Sequence, residues 1–135
     1  MIKRWQIRQE KTQLLERHYL YSRLFEVRNH FEQGVIPSSI LEEVYKQYNP
    51  DIDTATFIQH SRRIFPLGNC GLASAYLQSK LGRGEIFQGS YAGEPHTFLI
   101  LQLTDNPTEL TVADITADQF GGSKIYLGDF VYPYQ

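Results

Sequence analysis

The chain has one cysteine, so an internal disulfide is excluded, and no Cys/Cys or Cys/His spacing resembles a structural zinc site. The thiol is therefore either core filling or chemistry. No apolar run nears the roughly 18 residues that cross a bilayer, and the opening Met1-Ile2-Lys3-Arg4-Trp5-Gln6 has no apolar stretch of the signal-peptide kind. These absences predict no membrane partner. They also predict a cytoplasmic protein, or one delivered to a target cell by a signal-peptide-independent secretion system. Charge of either sign is not in excess: 13 basic and 15 acidic residues leave a net −2, which offers no grip on a nucleic-acid backbone. No repeat, low-complexity tract or linker divides the chain.

What is present suits one domain over residues 1–135, with 41% hydrophobic and 13% aromatic residues to fill a core. Residues 1–56 read as a helical N-terminal part and 57–135 as a core that carries the chemistry. From Arg8 to Gln33, Leu14, Tyr21, Leu24, Phe25 and Phe31 recur at helix-like intervals before Gly34, which predicts one long amphipathic helix. Pro37-Ser38-Ser39 opens a second helix, with Ser39 and Glu42 spaced as a capping box, and Ile40, Leu41, Val44 and Tyr48 on one face. A third begins near Asp53 or Thr54 and carries Phe57, Ile58 and Ile64. After the turn-like Leu67-Gly68-Asn69-Cys70-Gly71, a short helix runs to Leu81 and closes at Gly82. Strands follow at 85–91, 96–103, 109–115 and 124–127, an antiparallel meander. The fold class is α+β: N-terminal helices and a nucleophile-bearing helix packed on a small antiparallel sheet.

Cys70 stands where a loop becomes a helix. A thiol there feels the positive end of the helix dipole, and the free N–H groups of the first turn can receive a developing oxyanion. Small neighbours Gly68, Gly71, Ala73 and Ser74 leave room for a carbonyl. His96 opens the most apolar strand, Thr97-Phe98-Leu99-Ile100-Leu101, and suits a general base. Asp114 is a carboxylate on an otherwise apolar strand. If the two strands are antiparallel neighbours, it can hydrogen-bond His96 and fix its tautomer.

Each residue alone has a plainer reading. Free cysteine is among the most buried residue types, a lone His at a strand start is more often a satisfied residue, and a lone Asp at a strand end is usually a turn former. Their order, Cys on a helix start, His on a strand and Asp on the next, makes coincidence less probable. Asp118 competes with Asp114 as the orienter, with Asp114 preferred for its strand. Gln119 and Phe120 can equally well tie down a turn and fill the core. His18, His30 and His60 read as solvated or packing residues, and nothing in their spacing makes a metal motif.

The set Phe65-Pro66-Leu67-Gly68-Asn69-Cys70-Gly71-Leu72-Ala73-Ser74, Pro95-His96-Thr97-Phe98-Leu99 and Ala113-Asp114-Ile115-Thr116-Ala117-Asp118-Gln119-Phe120 resembles the small bacterial papain-fold proteins. That group includes papain-fold toxin domains and glutamine deamidase effectors, and its layout is similar to that of transglutaminases and arylamine N-acetyltransferases. The resemblance covers about the C-terminal half. It implies a papain-like core with Cys70 as nucleophile, His96 as base and then acid, Asp114 as orienter, and Asn69, Gly71 and Gln119 as oxyanion or supporting residues, with no cofactor. Papain-like proteases place an oxyanion glutamine before the nucleophile, where Ile64 and Phe65 stand here. The oxyanion role then passes to backbone N–H groups, helped by the Asn69 amide. The expected activity is acyl transfer on a protein amide: glutamine deamidation or a related hydrolysis, alternatively proteolysis or transglutamination. A non-catalytic adaptor of the same fold is the reading from another class, in which the N-terminal helices dock a partner protein.

Overall fold

The computed structural model describes residues 3–135. Four helices precede a four-stranded antiparallel sheet: α1 (Arg4–Gln33), α2 (Ser38–Tyr48), α3 (Thr54–Ile64), α4 (Cys70–Leu81), then β1 (Glu85–Tyr91), β2 (Glu94–Gln102), β3 (Leu110–Asp114) and β4 (Tyr126–Asp129), in spatial order β1-β2-β3-β4. A short 3-10 turn, Ala117–Phe120, lies between β3 and β4. The α+β architecture and the antiparallel meander are as expected from the strand patterning.

Good helix formers carry α1 for 30 residues, about 45 Å at the usual rise, until Gly34 stops it in the left-handed conformation at φ 65°. It starts at Arg4, earlier than the expected Arg8. The expected apolar stripe is only partly the packed one: Leu14, Tyr21 and Phe25 are 68%, 49% and 53% exposed, and the buried face is Leu20, Leu24, Val27 and Arg28. The reason is that α1 packs only along its C-terminal part, against α4 and β4, so its first turns are open to solvent all round. In α2 the expected capping box is absent. Pro37 holds the N-cap position, which places Ser39 inside the first turn, and no side chain caps that end. Leu41 and Tyr45 are the buried residues of α2, while Ile40 is exposed. Asp53 caps α3, accepting from Thr56 N at 3.3 Å and Thr56 Oγ1 at 2.7 Å.

One cluster joins the helical part to the sheet: Leu24, Leu41, Tyr45, Ile58, Leu72 and Leu77 pack against Leu99, Leu101, Ala113 and Ile115. Residues 1–56 and 57–135 therefore share one core where described. Strand alternation sends Phe98, Ile100 and Val112 to the opposite face, where they meet Ala117 and Tyr134. Beyond β4 the chain crosses this second face and adds itself to β1: Ser90 N donates to Gln135 O at 2.8 Å, Gln135 N to Ser90 O at 3.0 Å, and Ala92 N to Pro133 O at 2.9 Å. Gly89 makes room for that tail, because a Cβ there would collide with Gln135 O.

Candidate active site

Cys70 is the first residue of α4, so its sulfur lies at the helix end where the first-turn N–H groups have no intrahelical acceptor. The turn that delivers it is built by Gly68, in the left-handed region at φ 68°, and by Asn69, which is 1% exposed. Asn69 Nδ2 donates to Ser61 O at 3.0 Å and Leu67 O at 2.9 Å. Both amide hydrogens are thus spent on holding the turn. This corrects the expectation that the Asn69 side chain assists an oxyanion: its free atom is Oδ1, an acceptor, and an oxyanion needs donors.

β2 and β3 pair antiparallel with Leu99 opposite Ala113. That register sets Asp114 diagonally across from His96 on the same face, within reach of a long side chain. His96 Nε2 and Asp114 Oδ2 are 2.7 Å apart, and both side chains are buried. Asp114 has further donors: Tyr134 Oη to Oδ2 at 2.8 Å, Thr116 N to Oδ1 at 3.0 Å and Thr116 Oγ1 to Oδ1 at 3.3 Å. A carboxylate so surrounded presents one fixed oxygen to the imidazole. With Nε2 committed to Asp114, Nδ1 is the nitrogen left for Cys70. Nδ1 is buried without a hydrogen-bond partner among the described residues.

The electrostatics follow from these contacts. Burial pushes the Cys70 thiol up, but the neighbouring His96 imidazole and Thr97 outweigh it and hold the thiol below its ordinary value. Burial works equally against charge on His96. The hydrogen bond to Asp114, with that carboxylate and the Cys70 sulfur as negative neighbours, overcomes it, and the imidazole is pushed up to about 9. Both directions favour a thiolate–imidazolium pair, which titrates as a unit. Burial and the adjacent carboxylate raise the Tyr134 phenol, so it remains a donor.

Gly71 lies beneath two rings: a Cβ there would be 3.4 Å from Tyr48 Cε2 and 3.6 Å from Tyr45 Cε1. Tyr48 Oη in turn accepts from Gln88 Nε2 at 2.8 Å. Gln119 reaches the nucleophile turn, its Oε1 accepting from Gly68 N at 3.3 Å, and its Nε2 is buried without a partner. Phe120 packs edge-on to His96 at 5.1 Å and stacks near Tyr91 at 5.8 Å. Asp118 pairs with Arg28, not with His96. His18 and His60 are exposed and His30 is half-buried. Among the described residues no group of three His, Cys, Asp or Glu side chains is placed to hold a metal.

Two contributors escaped the sequence. Tyr134 sits 20 residues from Asp114, beyond the last expected strand. Arg28 lies in a helix already rich in arginine. Neither has a local pattern that names its partner. Compared with known proteins, the chain matches no family model, no curated protein and no solved structure.

Proposed function

We propose that the protein is a cysteine-nucleophile acyl-transfer enzyme acting on an amide, with the side chain of a protein glutamine as its substrate and water as the acceptor. The observation that carries this reading is the buried His96–Asp114 hydrogen bond at 2.7 Å, which leaves the other imidazole nitrogen for a cysteine at the start of a helix. The thiolate attacks the carboxamide carbon and forms a C–S bond. The carbonyl electron pair moves to oxygen, where the first-turn N–H groups of α4 and the unpartnered Gln119 Nε2 supply donors. As the intermediate collapses, the C–N bond breaks and the imidazolium gives its proton to the departing ammonia. The imidazole then takes a proton from water, whose oxygen displaces sulfur from the thioester and yields a glutamate side chain and free thiol.

A side-chain amide suits the surroundings. The side chains beside the nucleophile turn, Tyr48, Gln88 and Gln119, are neutral, which fits an uncharged carboxamide. The order Cys70, His96, Asp114 along the chain resembles that of papain-fold proteins, and this resemblance supports the reading.

The test starts with iodoacetamide alkylation followed by mass, which reads Cys70 alone because it is the only cysteine. Wild-type protein is expected to react rapidly well below the roughly 8.5 of a free thiol, and His96→Ala to lose that reactivity. Glutaminyl proteins incubated with wild type, but not with Cys70→Ala, are then expected to gain about one mass unit per deamidated residue as ammonia appears. An ordinary thiol profile indifferent to His96 would remove the catalytic reading and leave the adaptor. Backbone cleavage would move the assignment to a protease, and amine incorporation to a transglutaminase.

A further inference from the structure

The half of α1 that packs on the body carries a buried cation. Arg28 is 4% exposed and every arm of its guanidinium is committed: Nη1 donates to Ile115 O at 2.7 Å and to Asp118 Oδ1 at 2.7 Å, Nη2 to Asp118 Oδ2 at 2.8 Å, and Nε to Glu32 Oε1 at 2.7 Å. The planar fork thus meets Asp118 bidentately while a third bond reaches the backbone. Its carbon lies 4.8 Å above the Phe65 ring, which stacks on Phe31 of the same helix at 5.1 Å and 8°.

The partners are placed by sequence at the edges of the site. Ile115 follows Asp114 directly, and Asp118 precedes Gln119. Phe65 begins the turn that ends at Cys70, and Gln119 closes the circuit by accepting from Gly68 N in that turn. One side chain on α1 therefore touches both the loop that aims the carboxylate and the loop that aims the nucleophile. A buried ion pair is a poor device for stability, since apolar residues of similar volume often serve as well or better. It is a good device for fixing geometry, because a bidentate fork tolerates few arrangements.

We propose that Arg28 is the positioning residue of this site: through Asp118, the Ile115 carbonyl and the Phe65 ring it sets the Cys70 turn and the Asp114 loop at the spacing that lets His96 engage the thiol. The inference rests on the catalytic reading above and gives α1 a part in the chemistry without contact with substrate.

The experiment is the pH profile of iodoacetamide alkylation from about pH 5 to about pH 9 for wild type, Arg28→Gln, Asp118→Asn and Glu16→Gln. The last breaks the 2.7 Å Glu16–Arg83 pair elsewhere on α1. Each variant is first checked for a cooperative melt. The expected result is that both clamp variants, though folded, react at least about tenfold more slowly than wild type near pH 6, the shift of a thiol that has lost about one pKa unit of assistance, while Glu16→Gln retains the wild-type profile. Asp118 is the less buried partner, at 19% side-chain exposure, so Asp118→Asn carries the test if Arg28→Gln does not fold. Folded clamp variants with the wild-type profile would overturn the proposal and leave the nucleophile reading standing. A wild-type protein with no reactivity at low pH overturns both.

Discussion

His96 is a histidine held in the charged state by its neighbours in spite of burial, and that has a thermodynamic sign. Its folded value of about 9 lies above the ordinary 6.5, so across that window the folded chain keeps a proton that the unfolded chain has released. The stability this contributes is complete below about pH 6.5 and is lost as pH rises through about 9. Cys70 acts the other way, since its thiol is lowered and gains with rising pH. Removing it takes away both its own titration and its share of the lift on His96, and leaves the share that comes from Asp114. Cys70→Ala keeps the Asp114 contribution and loses that of the sulfur, so its melting temperature is expected to fall with rising pH above about 6.5 by more than that of the Cys70→Ala/His96→Gln double variant, and by less than the wild-type imidazole alone would give. Parallel curves for the two would show that the imidazole folds neutral.

Among the elements, α1 divides into a packed half and an exposed half. Leu24 is fully buried among α4 and sheet residues, whereas Leu14 is 68% exposed on the same helix. Leu24→Ala is expected to cost about 2–5 kcal/mol in denaturant unfolding and Leu14→Ala within about 0.5 kcal/mol of nothing. A comparable loss at Leu14 would mean that the exposed half is covered in solution. Composition foretold the helix and part of the face: Leu24 is buried and Phe31 half-buried as expected, whereas Leu14, Tyr21 and Phe25 are exposed and Leu20 and Val27 take their place, a choice set by the position of α4. The strands were legible because alternation and Gly/Asn/Asp punctuation are local signals. The His96–Asp114 pairing was legible for the same reason, since the two polar residues each interrupt an apolar strand. Asn69 was misread because its two acceptors, Ser61 and Leu67, are backbone carbonyls, which leave no trace in a sequence. Arg28 and Tyr134 were invisible because their partners lie 87 to 90 and 20 residues away.

At the scale of the whole molecule, the tail that pairs with β1 ties the chain's last residues to the strand beside His96, since Gly89 is the β1 partner of His96. The close approach of Gln135 depends on the missing side chain at Gly89. Gly89→Ala is therefore expected to displace the tail and to speed hydrogen exchange at the Ser90, Ala92 and Gln135 amides by about tenfold or more, leaving the amides of α1 to α4 unchanged. Protection equal to wild type at those three amides would show that the tail yields without detaching.

The tail also orders events in time. A ribosome releases Cys70 first, then His96, then Asp114, and Tyr134 after all of them, at about 5–20 residues per second. For several seconds the emerging polypeptide carries the thiol without the last hydrogen bond to the carboxylate that orients its histidine. The nucleophile is thus born before its support, and the pair is fully braced only after Tyr134 has emerged.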